Sequence, residues 1–280
     1  MRELDVSIIS GTLAAMCEQI NHELSDDMVS ALRCAAECET SGTGLSVLSM
    51  LEENLAVAKE KRIPICQDTG MAVVFLEIGQ EVSLVGGYLE DAVNEGVSRG
   101  YREGYLRKSV VADPLERVNT GDNTPAVIHT RIVPGDRIKM TLAPKGFGSE
   151  NMSRLYMLKP SDGEDGVRRA VIETVRLAGP NACPPVVVGV GLGGDFEYSA
   201  LMAKRALTRP VGVSSDKEHI ARLEKRILED VNELGIGPAG LGGTVTALAV
   251  NIETYPTHIA GMPCAVNICC HVNRHVSVTL

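Results

Sequence analysis

The apolar pattern of this chain changes period at one place, and that change limits what can be built on either side. Up to Arg62 apolar residues recur at helical spacing, and from Ala72 they run together as in a buried strand. The join is Pro64-Ile65-Cys66-Gln67-Asp68-Thr69-Gly70, which sets a thiol, an amide, a carboxylate and a hydroxyl on consecutive residues. Pro64 biases Ile63 away from helix, and Gly70 permits a turn that other residues resist. A polar loop held between two regular elements is where ligand-handling groups concentrate. A turn around one buried cysteine would read the same way. The company that Cys66 keeps further along the chain decides between them.

Residues 1–60 read as three helices. Leu4, Val6, Ile9, Leu13, Met16 and Ile20 form the first apolar stripe, and Asp26–Cys38 and Leu45–Lys59 repeat the pattern. The run Ser41-Gly42-Thr43-Gly44 separates the second from the third. Ala72–Ile78 is expected to be a strand and Tyr88–Tyr105 a helix, with Arg107 and Lys108 as cations at its end. Ala126–Val133 and Arg137–Leu142, joined by Pro134-Gly135-Asp136, predict a hairpin. The loop Ala143–Asn151 sets two glycines beside Lys145 and a helix start, which suits either an anion or a capped turn.

A helix over Glu164–Ala178 leads to Cys183-Pro184-Pro185 and a strand over Val186–Val190. Gly189-Val190-Gly191-Leu192-Gly193-Gly194 then matches the dinucleotide-binding fingerprint, with Asp216 beyond it. No alternation of strand and helix precedes it, which weakens that reading. A helix over Asp216–Leu234 and a strand over Thr244–Ile252 follow. Strand alternation through Cys264–His271 sends Cys269 and Cys270 to opposite faces, so one of the two suits a shared site. The last strand is Val276–Leu280. The expected fold is mixed α/β (α+β-like): one domain over residues 1–280, with a helical part at 1–60. Its mixed part, 61–280, would hold largely antiparallel sheets flanked by helices.

A net charge of −9 argues against a general nucleic-acid binder, and with no Trp and three Phe there is little for bases to stack on. The first residues carry Glu3, Asp5 and Glu18, unlike a secretory signal, and no apolar run is long enough for a membrane. The expectation is a soluble, cytoplasmic protein. Its eight cysteines include no Cys-x-x-Cys pair, so neither a disulfide framework nor a zinc ribbon is indicated. Three positions stand beside polar residues at loops or strand ends: Cys66, Cys183, and Cys269 or Cys270. Three thiolates would leave one iron of a [4Fe–4S] cluster open as a Lewis acid.

Several motifs now occur together in order. They are Cys66-Gln67-Asp68-Thr69-Gly70, Asp122–His129, Lys145–Asn151, Cys183-Pro184-Pro185 and Gly189–Gly194. Across its whole length the chain resembles the α subunit, or N-terminal catalytic region, of the iron–sulfur class I fumarate hydratases and the related L(+)-tartrate dehydratases. The resemblance implies a hydro-lyase that interconverts a 2-hydroxy dicarboxylate and its unsaturated product. It implies a [4Fe–4S] cluster on Cys66, Cys183 and Cys270, with the substrate held by Gln67, Arg107 and Gly148. Asp68 and His258 fall on its catalytic positions. It further implies a β region, expected as a separate subunit because this chain stops at Leu280, in an αβ or (αβ)2 assembly. A cluster-bearing protein that senses oxygen or iron, or one that assembles clusters, is the rival reading, which the carboxylate-holding residues disfavour.

Overall fold

A computed structural model describes all 280 residues, Met1–Leu280. In chain order the elements begin β1 (Arg2–Asp5), α1 (Val6–His22), α2 (Asp26–Cys38), α3 (Gly42–Lys61), β2 (Met71–Gly79) and β3 (Val82–Val85). Next come α4 (Leu89–Glu103), β4 (Val127–Val133), β5 (Ile138–Lys145), α5 (Phe147–Glu150), β6 (Arg154–Leu158) and α6 (Gly163–Ala178). The chain closes with β7 (Val186–Gly194), α7 (Phe196–Ala206), α8 (Glu218–Asn232), β8 (Ala247–Thr257), β9 (Met262–Cys269) and β10 (Val276–Thr279). The fold is mixed α/β, and it divides into two compact units. One comprises Met1–Ser25, Asn54–Phe147 and Arg274–Leu280, the other Asp26–Glu53 and Gly148–Asn273.

The first unit is built on a sheet of order β10-β5-β2-β4. Its core gathers Ile9, Leu13, Met16 and Ile20 of α1, Val93, Val97 and Tyr101 of α4, and Val74, Leu76, Met140 and Leu142 of the sheet. The stripe expected of the first helix starts one element too early. Leu4 lies in β1, which pairs in parallel with β3, and Asp5 then caps α1 by accepting the Ser7 amide. The expected hairpin is not formed. β4 pairs in parallel with β2, while β5 pairs antiparallel with the other edge of β2. The turn is spent on that central strand. Gln80 N donates to Val133 O at 2.7 Å and Glu81 N to Gly135 O at 2.9 Å. A loop with the signature of a tight turn therefore straddles the end of β2.

The second unit carries a sheet of order β6-β9-β7-β8. Val188, Val190, Val250, Ile252, Val266 and Ile268 pack with the apolar stripes of α6 and α8. In each four-stranded sheet two neighbouring pairs are antiparallel and one is parallel. The Gly189–Gly194 run belongs to β7 itself. A Cβ at Gly189 would stand 2.2 Å from Ala203 O, and one at Gly191 2.0 Å from Ser199 O. These glycines let α7 lie directly on the strand. Only Asp195 separates β7 from α7, and its carboxylate accepts the Tyr198 amide at 2.9 Å. An anionic cap sits where a pyrophosphate would have to bind, so the dinucleotide reading falls. The strand expected to end at Val190 runs on to Gly194, and the helix expected from Leu45 starts at Gly42.

Candidate active site

The Cys66–Gly70 loop is fixed by side chains from most of the first unit. Asn21 O accepts the Ile65 amide at 2.9 Å, and Asn54 Nδ2 donates to Ile65 O at 2.9 Å. The Tyr101 hydroxyl donates to Thr69 O at 2.8 Å and Gly70 O at 3.0 Å, and burial raises its pKa, so it stays a donor. Asn123, fully buried, donates to Gly70 O at 3.2 Å and accepts the Ser109 amide at 2.7 Å. Gly70 itself adopts φ 79°, and a Cβ there would meet Lys145 N at 2.7 Å. Only glycine fits.

The backbone of Arg107 meets the loop that carries Cys66, Gln67 and Asp68. The Thr69 hydroxyl donates to the carbonyl oxygen of Arg107 at 3.1 Å, which brings the Arg107 backbone to the motif. Gln67 and Arg107 are exposed and Cys66 and Asp68 half-buried. The Asp68 carboxylate is oriented by two amides. Oδ1 accepts Gly70 N at 3.0 Å and Oδ2 accepts Phe147 N at 2.9 Å. Each oxygen keeps a further lone pair for a ligand.

In the second unit Cys183 follows a 3-10 turn, Gly179–Ala182, in the left-handed conformation with φ 53° and ψ 64°. Its carbonyl oxygen accepts the His271 amide at 3.4 Å, and His271 Nδ1 lies 3.0 Å from the same oxygen. The exposed Cys183 and the half-buried Cys270 thus come from neighbouring backbone. Gly148 joins them, since a Cβ on it would lie 3.6 Å from Asn181 O. A clamp holds the end of β9. Asn267 Nδ2 donates to Glu150 Oε2 and Ser153 Oγ, each at 2.8 Å, and Ile268 N donates to Ser153 Oγ at 3.1 Å. Lys204 pairs with the same Glu150 carboxylate.

His258 lies elsewhere. It stands in the β8–β9 turn, exposed, with the Ala260 amide donating to its Nδ1 at 3.2 Å. β7 pairs with Cys269 through Val187 and with Thr257 through Gly194. At about 3.3 Å per residue, roughly 23 Å of strand separates His258 from the Cys183–Cys270 end of its own sheet.

The cysteines sort by environment. Cys17 and Cys264 are fully buried, and burial pushes both thiols up to about 12. Cys269 is buried within β9, while Cys34 and Cys38 stand exposed on α2. All eight are thiols. No three His, Cys, Asp or Glu side chains converge as ligands of a single ion. A cluster takes one thiolate per iron and so spreads its ligands more widely. Cys66 in the first unit, and Cys183 and Cys270 in the second, are all thiols outside the cores, the donor type such a cluster takes.

Sequence reasoning gave no role to Asn21, Tyr101, Asn123 and Arg274, which hold the Cys66–Gly70 loop, or to Glu150 and Asn267, which clamp the end of β9. Asn123 and Glu150 did lie inside quoted motifs. The others carry no local signal.

A family profile described as fumarate hydratase (Fumerase) matches residues 10–279. Over 273 residues the chain is 41% identical to a Methanocaldococcus jannaschii protein provisionally named L(+)-tartrate dehydratase subunit alpha, covering 95% of each. It is 32% identical over 273 residues to the L(+)-tartrate dehydratase subunit alpha of Escherichia coli strain K12, covering 96% of this chain and 89% of that one. The same figures, 32%, 96% and 89%, hold for the Shigella sonnei subunit of that name.

Proposed function

The chain belongs to the fumarate hydratase (Fumerase) family, and from that premise we propose that it is the α subunit of a hydro-lyase acting on a 2-hydroxy dicarboxylate. Malate and fumarate are the proposed substrate and product. A second reading, L(+)-tartrate dehydration, is favoured by the names of the relatives at 41% and 32% identity. The observation that carries the proposal is the Thr69–Arg107 bond, which sets a cation's backbone against a loop bearing a thiol, an amide and a carboxylate.

Cys66, Cys183 and Cys270 would hold a [4Fe–4S] cluster, which when bound supplies a Lewis acid for the departing hydroxyl. The remaining work falls to this chain's own groups and to those of its partner. Arg107 and Gln67, exposed on either side of the Thr69 tie, bind carboxylate oxygens. The amides of the turn at Gly148 take the other carboxylate. Asp68, aimed by the Gly70 and Phe147 amides, orients the substrate hydroxyl and handles its proton. A basic group must remove the C3 proton.

His258 cannot reach the Cys183–Cys270 end of its own sheet, so its proposed catalytic role is in a site completed by another chain. The proposed assembly is therefore an αβ pair, doubled, in the cytoplasm, with both units of this chain acting as one hydro-lyase α domain. No helix is long and apolar enough to cross a membrane. The test is anaerobic. Iron and sulfide are reconstituted into the chain, its β partner is added, and fumarate formation from malate is followed beside oxaloacetate formation from L-tartrate. Malate turnover that needs both chains and is lost in air is expected. Tartrate turnover alone changes the substrate, and a stable cluster with neither activity overturns the hydro-lyase.

A further inference from the structure

Arg274 begins the C-terminal segment of the first unit and is 2% exposed. One amino nitrogen donates to Asn21 Oδ1 at 2.7 Å, the other to the carbonyl oxygen of Asp68 at 2.8 Å. Its Nε is buried and has no acceptor. Both acceptors are neutral, so neither of these bonds goes to a carboxylate. The Asp68 carboxylate, adjacent by sequence to the carbonyl it grips, is taken up by the Gly70 and Phe147 amides.

A neutral amide would satisfy two neutral acceptors equally well. A guanidinium brings a full charge that those acceptors do not need, and burying it unbalanced is expensive. The expense is recovered if an anion occupies the loop whose backbone the guanidinium holds. That loop presents the half-buried thiol of Cys66 and the exposed amide of Gln67 one and two residues before Asp68.

We propose that Arg274 is a positioning residue and buried countercharge for an anion bound on the Cys66–Gly70 loop. Through the Asp68 carbonyl it fixes the direction in which Gln67 and Asp68 point, and its charge favours the occupied loop over the empty one. The anion is a dicarboxylate or an iron–sulfur group made anionic by its sulfides and thiolates. The choice between those two sources rests on the hydro-lyase reading, but the countercharge does not.

The test uses the full chain, purified anaerobically, as wild type, Arg274→Lys and Arg274→Gln. Thermal unfolding is measured with L-malate or L-tartrate added, and separately after iron and sulfide are loaded. Saturating anion is expected to raise the wild-type midpoint by about 5 °C, and Arg274→Lys to keep most of that rise. Arg274→Gln should lose it while gaining nothing from either anion. An equal rise in Arg274→Gln and wild type, or no rise in wild type with any anion, overturns the proposal. If Arg274→Gln does not fold, amide exchange at Ile65 and Gly70 in wild type decides. Roughly tenfold slowing on anion addition is expected, and unchanged exchange overturns the role. A rise with dicarboxylate alone names the substrate as the anion, and a rise on cluster loading alone names the cluster. Turnover without the rise would leave the hydro-lyase standing and remove Arg274, and the rise without turnover would do the reverse.

Discussion

Gly70 shows how one residue can hold a site. Its φ of 79° is open to glycine, and the Lys145 backbone fills the space where a Cβ would go. Gly70→Ala should destabilise the first unit by about 3 kcal/mol, combining left-handed strain with a backbone clash. Urea unfolding followed by a probe in that unit measures it. Thiol chemistry is decided at the same scale. Cys17 and Cys264, buried and pushed up to about 12, should resist iodoacetamide in the folded apo chain at mildly alkaline pH. Cys34, Cys38 and Cys183 are exposed and should be modified, as peptide mass spectrometry would show. The sequence displayed all eight cysteines alike, because burial depends on contacts from distant segments.

At the level of elements, the end of β9 separates two adjacent cysteines. Cys269 is buried in the strand and Cys270 stands past it, half-buried, beside the His271–Cys183 contact. Cys270→Ser should abolish iron and sulfide uptake on reconstitution, whereas Cys269→Ser should retain it at a small cost in stability. Retention in Cys270→Ser with loss in Cys269→Ser would reverse the ligand assignment. The joint between α2 and α3 is another element-scale device. Glu39 is 5% exposed, and burial alone would raise its pKa. The amides of Ser41, Thr244, Val245 and Thr40 outweigh that and lower it below its ordinary 4.5. The stabilisation is present above the unfolded value and lost as pH falls through the lower folded one. Glu39→Gln should be less stable at neutral pH, and its deficit should shrink in urea titrations as pH falls below the ordinary 4.5. A constant deficit would remove Glu39 from the acid limb.

The whole molecule sets the place of His258. Its separation from the Cys183–Cys270 end is the length of β7, which no side chain spans. Mixing His258→Ala and Cys183→Ser chains, each inactive alone, should restore turnover when both are reconstituted with the proposed β partner. In a two-fold assembly roughly a quarter of wild-type turnover is expected, since half the pairs are mixed and each has one intact site. No recovery after proven subunit exchange would mean that His258 does not act across chains.

Local pattern was enough for the helices α1 to α4, α6 and α8, the strands β2 and β7, and the loop motifs at Cys66 and Cys183. Each is specified by neighbours a few residues away, through apolar period, proline, glycine and charge. Pairing was not. Pro134-Gly135-Asp136 looks like a hairpin turn in isolation, and β2, some fifty residues earlier by sequence, enters between its strands. β1, β3 and β6 are short and carry too few residues to show a period. The glycines of β7 matched a nucleotide fingerprint until α7 was seen to need the space. Arg274 lies 206 residues from the Asp68 carbonyl it holds. Sequence determines which groups the chain owns and which local shape each prefers. Long-range contacts, whose partners no short window contains, decide which groups are buried, aimed and left with unbalanced charge.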